Sequence, residues 1–234
     1  MKLFFGEIFP EVKINEEEQT HILKVLRMRA GEEIFVTDGK GNLAKGNLVL
    51  EGKKVLLAVL EIQKNLPDFS PKLHIAIAPT KNIDRIEFFV EKATEMGISE
   101  ITILQTEKTE RKNLNIEKLR KQSVSASKQS LRFHFPVIND LTKFSDFIKD
   151  IDASKTFVAH CNENLERIDL KLLRQAQQDS VDEITFLIGP EGDFSEKEIQ
   201  ILAEKGVKAV SLGNQRLRTE TAGIFVAAWN YSLM

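Results

Sequence analysis

The 234-residue sequence is poor in the features that define several protein classes. Its single cysteine, Cys161, excludes a disulfide framework within the chain and a zinc site built from cysteines. No apolar run approaches the ~18 residues that a membrane-spanning helix needs, so we expect no membrane association. The N-terminal segment MKLFFGEIFPEV is interrupted by Glu7 and Glu11, which predicts that it is no signal peptide and that the protein is cytoplasmic.

Familiar motifs of nucleotide-binding and hydrolytic enzymes are also missing. The sequence has no G-x-G-x-x-G after its first buried strand, no G-x-x-x-x-G-K-[ST], no G-x-S-x-G and no H-E-x-x-H. Its four histidines are scattered, and His160 and Cys161, as neighbours on a strand, point to opposite faces. We therefore predict no metal site. What remains is an ordinary globular composition, 42% hydrophobic and 29% charged.

The charge of the chain is distributed unevenly, although its net value is only −2. The segment from Lys108 to Arg132, called the basic segment below, has eight Lys and Arg against two Glu, and residues 140–206 have fifteen acids against eight bases. A local basic patch attracts a polyanion such as RNA whatever the net charge. A solvated basic helix face is the plainer alternative, and composition alone favours it.

The first seventy residues read as a small β-rich domain. Residues 3–8 predict a strand, residues 16–31 a short amphipathic helix that ends at Gly31, and IFVTDG, NLAKGNLVLEG and KKVLLAVLEI an antiparallel meander. The turns DGKGN and EGK have good hairpin chemistry. Residues 65–71, with two prolines and no periodicity, predict a linker between a barrel-like domain 1–70 and a second domain 71–234.

The second domain alternates between strand and helix patterns. Continuous apolar runs predict buried strands at residues 73–79, 101–105, 156–160, 183–189 and 207–213. Helices are predicted at residues 84–96, 116–130, 165–178, 196–205 and 222–233. This order favours an α/β domain with a parallel sheet that is covered by helices on both faces.

Candidate chemistry lies where the last two predicted strands end. In LIGPEGDFSEKE, a Gly-Pro-x-Gly turn precedes Ser195 and Glu198, which predict a capping box at the next helix. Such a turn exposes backbone N–H groups at the edge where ligands of α/β sheets bind, although a plain strand-to-helix connection would look the same.

A second candidate is SLGNQRLRTETAG, just before the last predicted helix. Capping by Thr219 or Thr221, with Glu220 complementing the helix dipole, would explain part of it. That explanation gives no reason for Arg216 and Arg218 near the positive end of a helix, whereas an anionic partner does. Lys81 and Arg85 pose the same question at the start of the helix 84–96.

The segments APTKNIDRIEFFVEKATEMGI, TER, SKQSLR, IGPEGDFS and SLGNQRLRTETA, in this order, resemble the ribosomal RNA small subunit methyltransferase E family. These are SPOUT-class enzymes that methylate uracil N3 in 16S rRNA, and the resemblance covers essentially the whole chain. It implies a PUA-like β-barrel, then a SPOUT-type parallel sheet with a C-terminal trefoil knot. It also implies S-adenosylmethionine as cofactor, a homodimer, and small-subunit rRNA or the assembled 30S subunit as substrate.

The resemblance also assigns candidate site residues. The cofactor pocket would comprise Leu187, Ile188, Gly189, Pro190, Glu191, Gly192, Leu212, Gly213, Asn214, Leu217, Arg218, Thr219 and Ala222. Arg218 would stabilise charge on the uracil, and Glu220 is the candidate for proton handling. The candidate RNA contacts are Arg27, Lys81, Arg85, Arg111, Lys128 and Arg132. Two positions depart from the family pattern: Asp193 replaces a frequent glycine and Lys112 a frequent serine.

Two other functions compete with this interpretation. One is a non-catalytic RNA-binding protein, which would bind RNA without tight cofactor binding. The other is a SPOUT enzyme that methylates a different base or a ribose, in tRNA for example. Binding of S-adenosylmethionine separates the first from an enzyme, and mapping of the methylated nucleotide separates the second.

Overall fold

The structure, a computed structural model, describes residues 1–52, 54–161, 166–170, 173 and 182–233. The chain forms two compact units, one of Met1–Asp68 with Val124–Phe135 and one of Phe69–Ser123 with Pro136–Met234. The chain thus leaves the first unit near residue 68 and returns to it for twelve residues. The domain limits inferred from the sequence, at residues 70 and 71, stay a prediction.

The first unit is a curled five-stranded sheet. Its elements are β1 (Leu3–Glu7), β2 (Lys13–Ile14), α1 (Glu16–Thr20), a π-helical turn (His21–Val25), β3 (Glu33–Thr37), β4 (Leu43–Glu51) and β5 (Lys54–Gln63). The strand order is β2-β1-β3-β4-β5. The predicted antiparallel meander of β3, β4 and β5 is confirmed, whereas β1 pairs with β3 in parallel. The helical segment between them provides the crossover that a parallel pair requires.

Residues 124–135 belong to the first unit through contacts that no local pattern indicates. The rings of Phe135 and Phe5 lie 5.2 Å apart, centroid to centroid. The amide of Gly41 donates to the carbonyl of Phe133 over 2.8 Å. These contacts connect residues that are about a hundred positions apart in the sequence, so periodicity could not reveal them.

The second unit contains a seven-stranded sheet. Its elements are β6 (Lys72–Ile77), α2 (Ile83–Glu95), β7 (Glu100–Gln105), α3 (Ile116–Gln129, whose last residues belong to the first unit), β8 (Val137–Lys143), α4 (Phe144–Phe147), β9 (Thr156–Ala159), β10 (Ile168–Asp169), β11 (Glu183–Ile188), α5 (Glu196–Glu204), β12 (Lys208–Ser211) and α6 (Thr219–Tyr231). The order is β10-β12-β9-β11-β6-β7-β8, and every neighbouring pair is parallel. The predicted α/β class is confirmed, and the trefoil knot stays a prediction.

Helices cover both faces of this sheet, because successive strand residues point to opposite sides. Ile75 and Phe186 pack on one side with Phe89 of α2, and Leu187 packs on the other with Leu202 of α5. All five side chains are fully buried. In the described part of the chain, no helix has the length and apolarity needed to cross a membrane.

Three described elements of the second unit were not predicted from the sequence. Strand β8 is partly polar and lies at the sheet edge, while β10 and α4 have only two and four residues. Such elements are too short or too polar to give a periodic signal. The predicted helix 165–178 lies largely outside the described residues, and its start is wrong, because Ile168–Asp169 form β10 beside β12. Leu170 and Leu173 are buried in the core.

Helices α2 and α6 approach each other closely at Gly223. A Cβ atom there would lie 2.5 Å from Cε2 of Phe89 and 3.1 Å from Cδ1 of Ile77, both in fully buried side chains. The glycine therefore permits the contact that brings the start of α6 against α2.

Gly223→Ala tests this contact. Helix propensity favours alanine by about 1 kcal/mol, whereas overpacking a rigid core costs about 1–3 kcal/mol. We expect the clash to dominate and the free energy of unfolding, measured with denaturant, to fall. Ala203→Val, at an exposed position of α5, is the control that adds bulk without a clash. A Gly223→Ala variant more stable than the wild type would contradict the close approach.

Candidate active site

A cavity of about 330 Å³ lies at the carboxyl ends of β9, β11 and β12, in the second unit. This volume is at the lower end of the range for small-molecule sites. The register of the strands places three of its lining residues side by side, because Ala159 pairs with Ile188 on one side and with Val210 on the other. All three residues line the cavity.

Ten of the thirteen candidate cofactor residues line this cavity. They are Ile188, Gly189, Pro190, Glu191, Leu212, Gly213, Leu217, Arg218, Thr219 and Ala222. Leu187 does not, because it points to the opposite face of the sheet. Asn214 is exposed and Gly192 faces Lys108, so neither belongs to the lining.

The two candidate cofactor loops are joined by one buried hydrogen bond. The hydroxyl of Thr219 donates to the carbonyl of Gly189 over 3.0 Å. Neither Thr219 nor Thr221 is the N-cap of α6, because the helix begins at Thr219. The N-cap residue is Arg218, whose side chain makes no capping bond. The predicted capping box of Ser195 and Glu198 is confirmed at α5.

Arg218 presents its side chain to the cavity at the start of α6. It is exposed, and no described carboxylate lies within 4.0 Å of its guanidinium group. A cation near the positive end of a helix is unfavourable unless an anion is close by. The arrangement therefore favours an anionic or developing negative charge at this side of the cavity.

Glu220 does not line the cavity, although the next residues of α6 do. Its carboxylate is directed to α2, where Oε1 lies 3.7 Å from Nε of Arg85. The side chain is only 10% exposed, and its Oε2 is buried with no hydrogen-bond partner among the described residues. Arg85, a candidate RNA contact, and Glu220, the candidate for proton handling, are thus paired with each other.

A model of the RNA methyltransferase domain matches residues 68–230, and one of the RNA methyltransferase PUA domain matches residues 14–61. The ribosomal RNA small subunit methyltransferase E of Rickettsia conorii is 30% identical over 220 residues, 93% of this chain and 88% of that protein. The chain belongs to the ribosomal RNA small subunit methyltransferase E family.

Solved structures resemble the chain over nearly its whole length. A probable rRNA methyltransferase from Porphyromonas gingivalis is 33% identical with a TM-score of 0.88, covering 100% of this chain and 98% of that one. A small subunit methyltransferase E from Neisseria gonorrhoeae, solved bound to S-adenosyl methionine, is 25% identical with a TM-score of 0.81, covering 97% and 95%. These values agree with the SPOUT-like fold and the PUA-like first unit.

Against this family's pattern, the departure at Asp193 has a structural explanation. The residue has a φ of +60°, a conformation that favours glycine and that Asp and Asn tolerate better than most residues. Its carboxylate accepts hydrogen bonds of 2.8 Å from the amides of Cys161 and Phe194. Asp193 therefore ties the β11 loop to the end of β9, and its side chain also lines the cavity.

Sequence reasoning missed a polar side of the cavity formed by His160, Cys161 and Arg167. Burial, with the charge of Arg167, lowers the pKa of His160, and Asp193 opposes that shift. Arg167 donates to the carbonyl of His160 over 3.0 Å. The sequence signal that could have revealed this polar side is that His160 ends a predicted strand, at the sheet edge where the Gly189 turn also lies. Among the described residues, no group of three or more His, Cys, Asp or Glu could hold a metal ion.

The candidate RNA contacts of the second unit are all engaged within it. Lys81 forms a 2.9 Å ion pair with Glu110, which raises the pKa of Lys81. Nε of Arg111 donates to the carbonyl of Lys81 over 2.9 Å. The side chains of Lys81 and Arg111 both remain at the surface. Arg85 differs from them, because its partner Glu220 is buried.

The candidates of the first unit differ sharply in exposure. Arg27 is exposed, with a φ of +48° just after the π-helical turn. Lys128 is ion-paired with the buried Glu18. Arg132 is only 5% exposed, and burial lowers its pKa to about 10 against the opposing charge of Asp68. A direct phosphate contact by Arg132 is therefore disfavoured.

Substitutions of Asp193 separate backbone strain from lost hydrogen bonds. We expect Asp193→Asn to be mildest, because asparagine tolerates the positive φ and keeps an acceptor. Asp193→Gly removes the strain but loses both bonds. Asp193→Ala combines both costs, for a total of about 2–4 kcal/mol. The measurement is the free energy of unfolding, and an alanine variant as stable as the asparagine variant would contradict this assignment.

Proposed function

We propose that this protein transfers the methyl group of S-adenosylmethionine to N3 of a uridine in small-subunit ribosomal RNA. The observation that carries the proposal is the cavity between the Gly189 and Gly213 loops, in a chain that belongs to the ribosomal RNA small subunit methyltransferase E family. The R. conorii relative is named as a small-subunit ribosomal RNA methyltransferase, and the N. gonorrhoeae structure was solved with S-adenosyl methionine bound.

The residues around the cavity fit this cofactor. Apolar side chains of Val210, Leu212 and Leu217 can cover flat, uncharged surface, and the carboxylates of Glu191 and Asp193 can balance positive charge. Gly213 has a φ of +121° and open space around it, so its backbone is accessible to a ligand. These residues would hold S-adenosylmethionine, which supplies an activated methyl group when bound.

The remaining chemistry falls to the chain itself. Uracil N3 carries a weakly acidic proton, so it becomes a good nucleophile only as negative charge develops on the ring. Arg218 is proposed to stabilise that charge, since it borders the cavity without a described anionic partner. The target base must leave its stack to reach the cavity.

Glu220 has less support as the group that removes the N3 proton. Its carboxylate lies outside the cavity lining and next to Arg85. We assign it instead to holding the starts of α2 and α6 together. This pair would keep Arg218, two residues earlier, in a fixed position relative to the sheet.

A homodimer is part of the proposal. Helix α6 exposes Phe225 and Tyr231, and α2, which packs against it, exposes Phe88. Large apolar side chains exposed on neighbouring helices are typical of an association surface. A second copy of the chain would cover them.

The overall test is methylation of assembled small subunits that lack the modification, with the nucleoside product identified by mass spectrometry. N3-methyluridine at one position is the expected product. A different methylated base or ribose would indicate another SPOUT activity, and absence of cofactor binding would indicate a plain RNA-binding protein. Either result contradicts the proposal.

Arg218→Ala should reduce single-turnover methylation at saturating cofactor by about a hundredfold or more, as expected when one preorganised charge-stabilising donor is removed. Arg218→Lys should recover little, because an ammonium does not reproduce a planar fork. Arg216→Ala, which removes the neighbouring cavity arginine, is the matched control and should cost far less. Near-normal rates for Arg218→Ala would rule out the role.

Glu220→Gln tests the alternative base in the same assay. Because the carboxylate faces Arg85, we expect a loss of rate well below that of Arg218→Ala, from a weaker hold on Arg218, and an unchanged pH–rate profile. A large loss in rate, together with loss of the acidic limb of that profile, would instead identify Glu220 as the base.

RNA affinity gives a further prediction. Arg111→Ala should weaken binding to small-subunit RNA and reduce the slope of log K against log salt concentration by about 0.7–0.9, one phosphate contact. Arg132→Ala should lower the stability of the fold and leave the slope unchanged, because the side chain is buried. The opposite pattern would contradict the assignment of these two arginines.

A further inference from the structure

Three loops follow one another at the carboxyl edge of the large sheet, because β11, β6 and β7 are neighbours. We call them the β11 loop (189–195), the β6 loop (78–82) and the β7 loop (106–115). The β11 loop lines the cavity with Gly189, Pro190 and Glu191. Its far side is turned to the other two loops.

Lys108 of the β7 loop supports that far side. Its Nζ donates to the carbonyl of Gly192 over 2.8 Å and to that of Phe194 over 3.1 Å. A Cβ atom at Gly192 would lie 3.3 Å from Cδ of Lys108, so the glycine lets the lysine stem run along the loop. One ammonium group thus holds the two carbonyls on either side of Asp193.

The β6 loop completes a closed ring of contacts. The amide of Lys81 donates to Oε1 of Glu191 over 3.0 Å, and its carbonyl accepts from Nε of Arg111. The side chain of Lys81 pairs with Glu110 of the β7 loop. The β11 loop is therefore joined to the β7 loop in two ways, directly through Lys108 and indirectly through Lys81 of the β6 loop.

The β7 loop is itself firmly held. The amide of Thr106 donates to the buried hydroxyl of Thr109, and the amide of Glu107 donates to Oε1 of Glu198 at the start of α5. These bonds fix residues 106–109, the part of the β7 loop that carries Lys108, three residues before Arg111.

We propose that Lys108 is a positioning residue through which RNA, bound at Lys81 and Arg111, strengthens cofactor binding. Contacts with RNA phosphates would restrict the motion of the β7 loop. Through its two hydrogen bonds, Lys108 would then restrict the carbonyls of Gly192 and Phe194 in the β11 loop. The ordering cost is then shared between the two ligands, so each improves the affinity of the other by the same factor. The inference rests on the proposed function, because it requires both ligands.

The test measures S-adenosylhomocysteine binding to the full-length protein by equilibrium dialysis, with and without saturating unmethylated small subunits. For the wild type we expect the subunits to lower Kd by about fivefold or more. For Lys108→Met the ratio of the two Kd values should approach one. Lys108→Arg, which keeps a long donor, should restore part of the ratio.

Lys112→Met is the matched control. It removes the same charge from the same loop, and Lys112 makes no described bond to the β11 loop. It should keep the wild-type ratio even where it weakens RNA binding. The reciprocal measurement is RNA affinity with and without S-adenosylhomocysteine, in which Lys108→Met should lose the same factor.

Two results would overturn the inference. One is a wild-type ratio of one in a protein that methylates its substrate, which would remove the coupling and leave the proposed function intact. The other is a Lys108→Met variant that binds cofactor weakly but keeps the ratio, which would make Lys108 merely structural. If Lys108→Met does not fold, Gly192→Ala perturbs the same contact from the β11 loop. A Gly192→Ala ratio of the two Kd values equal to that of the wild type would then overturn the inference. Failure of the wild type to bind S-adenosylhomocysteine would count against the proposed function itself.

Discussion

The parallel register of the large sheet is the constraint on which the candidate site depends. Because β9, β11 and β12 run in the same direction, Ala159, Ile188 and Val210 end side by side. Each strand then releases its loop at the same edge. Were one of these strands antiparallel, its carboxyl end would lie a strand length away, roughly 13 Å for four residues. The cavity would then lose one of its three walls.

Adjacency alone leaves the loops free to move, and two contacts restrict them. The Thr219 hydroxyl joins the start of α6 to the carbonyl of Gly189, and the Asp193 carboxylate joins the β11 loop to the end of β9. A site held this way loses less conformational entropy on binding, which raises affinity without any added ligand contact. The aspartate thus replaces the flexibility of a glycine with an anchor.

The sequence was sufficient for features that depend on local pattern. Continuous apolar runs predicted five of the seven parallel strands, and Ser195 with Glu198 predicted the capping box that the structure contains. The family motifs predicted ten residues of the cavity lining. The direction of Leu187 follows from strand alternation once Ile188 faces the cavity, so it was within reach of the sequence. The pairing of Glu220 with Arg85 and the burial of Arg132 depend on residues far away in the chain, and periodicity does not indicate them.

The same distinction applies to electrostatics, where the charge of a lysine in the sequence is a poor guide to its affinity for phosphate. Lys81 and Lys128 both have carboxylate partners, but Glu110 is 65% exposed and Glu18 only 9%. An exposed pair is exchanged for a phosphate at little cost, because water screens both charges. Removing the partner of a buried carboxylate leaves an uncompensated charge in the protein, which is strongly unfavourable. Lys81 is therefore available to RNA and Lys128 is committed to the fold, although the sequence gives them the same charge.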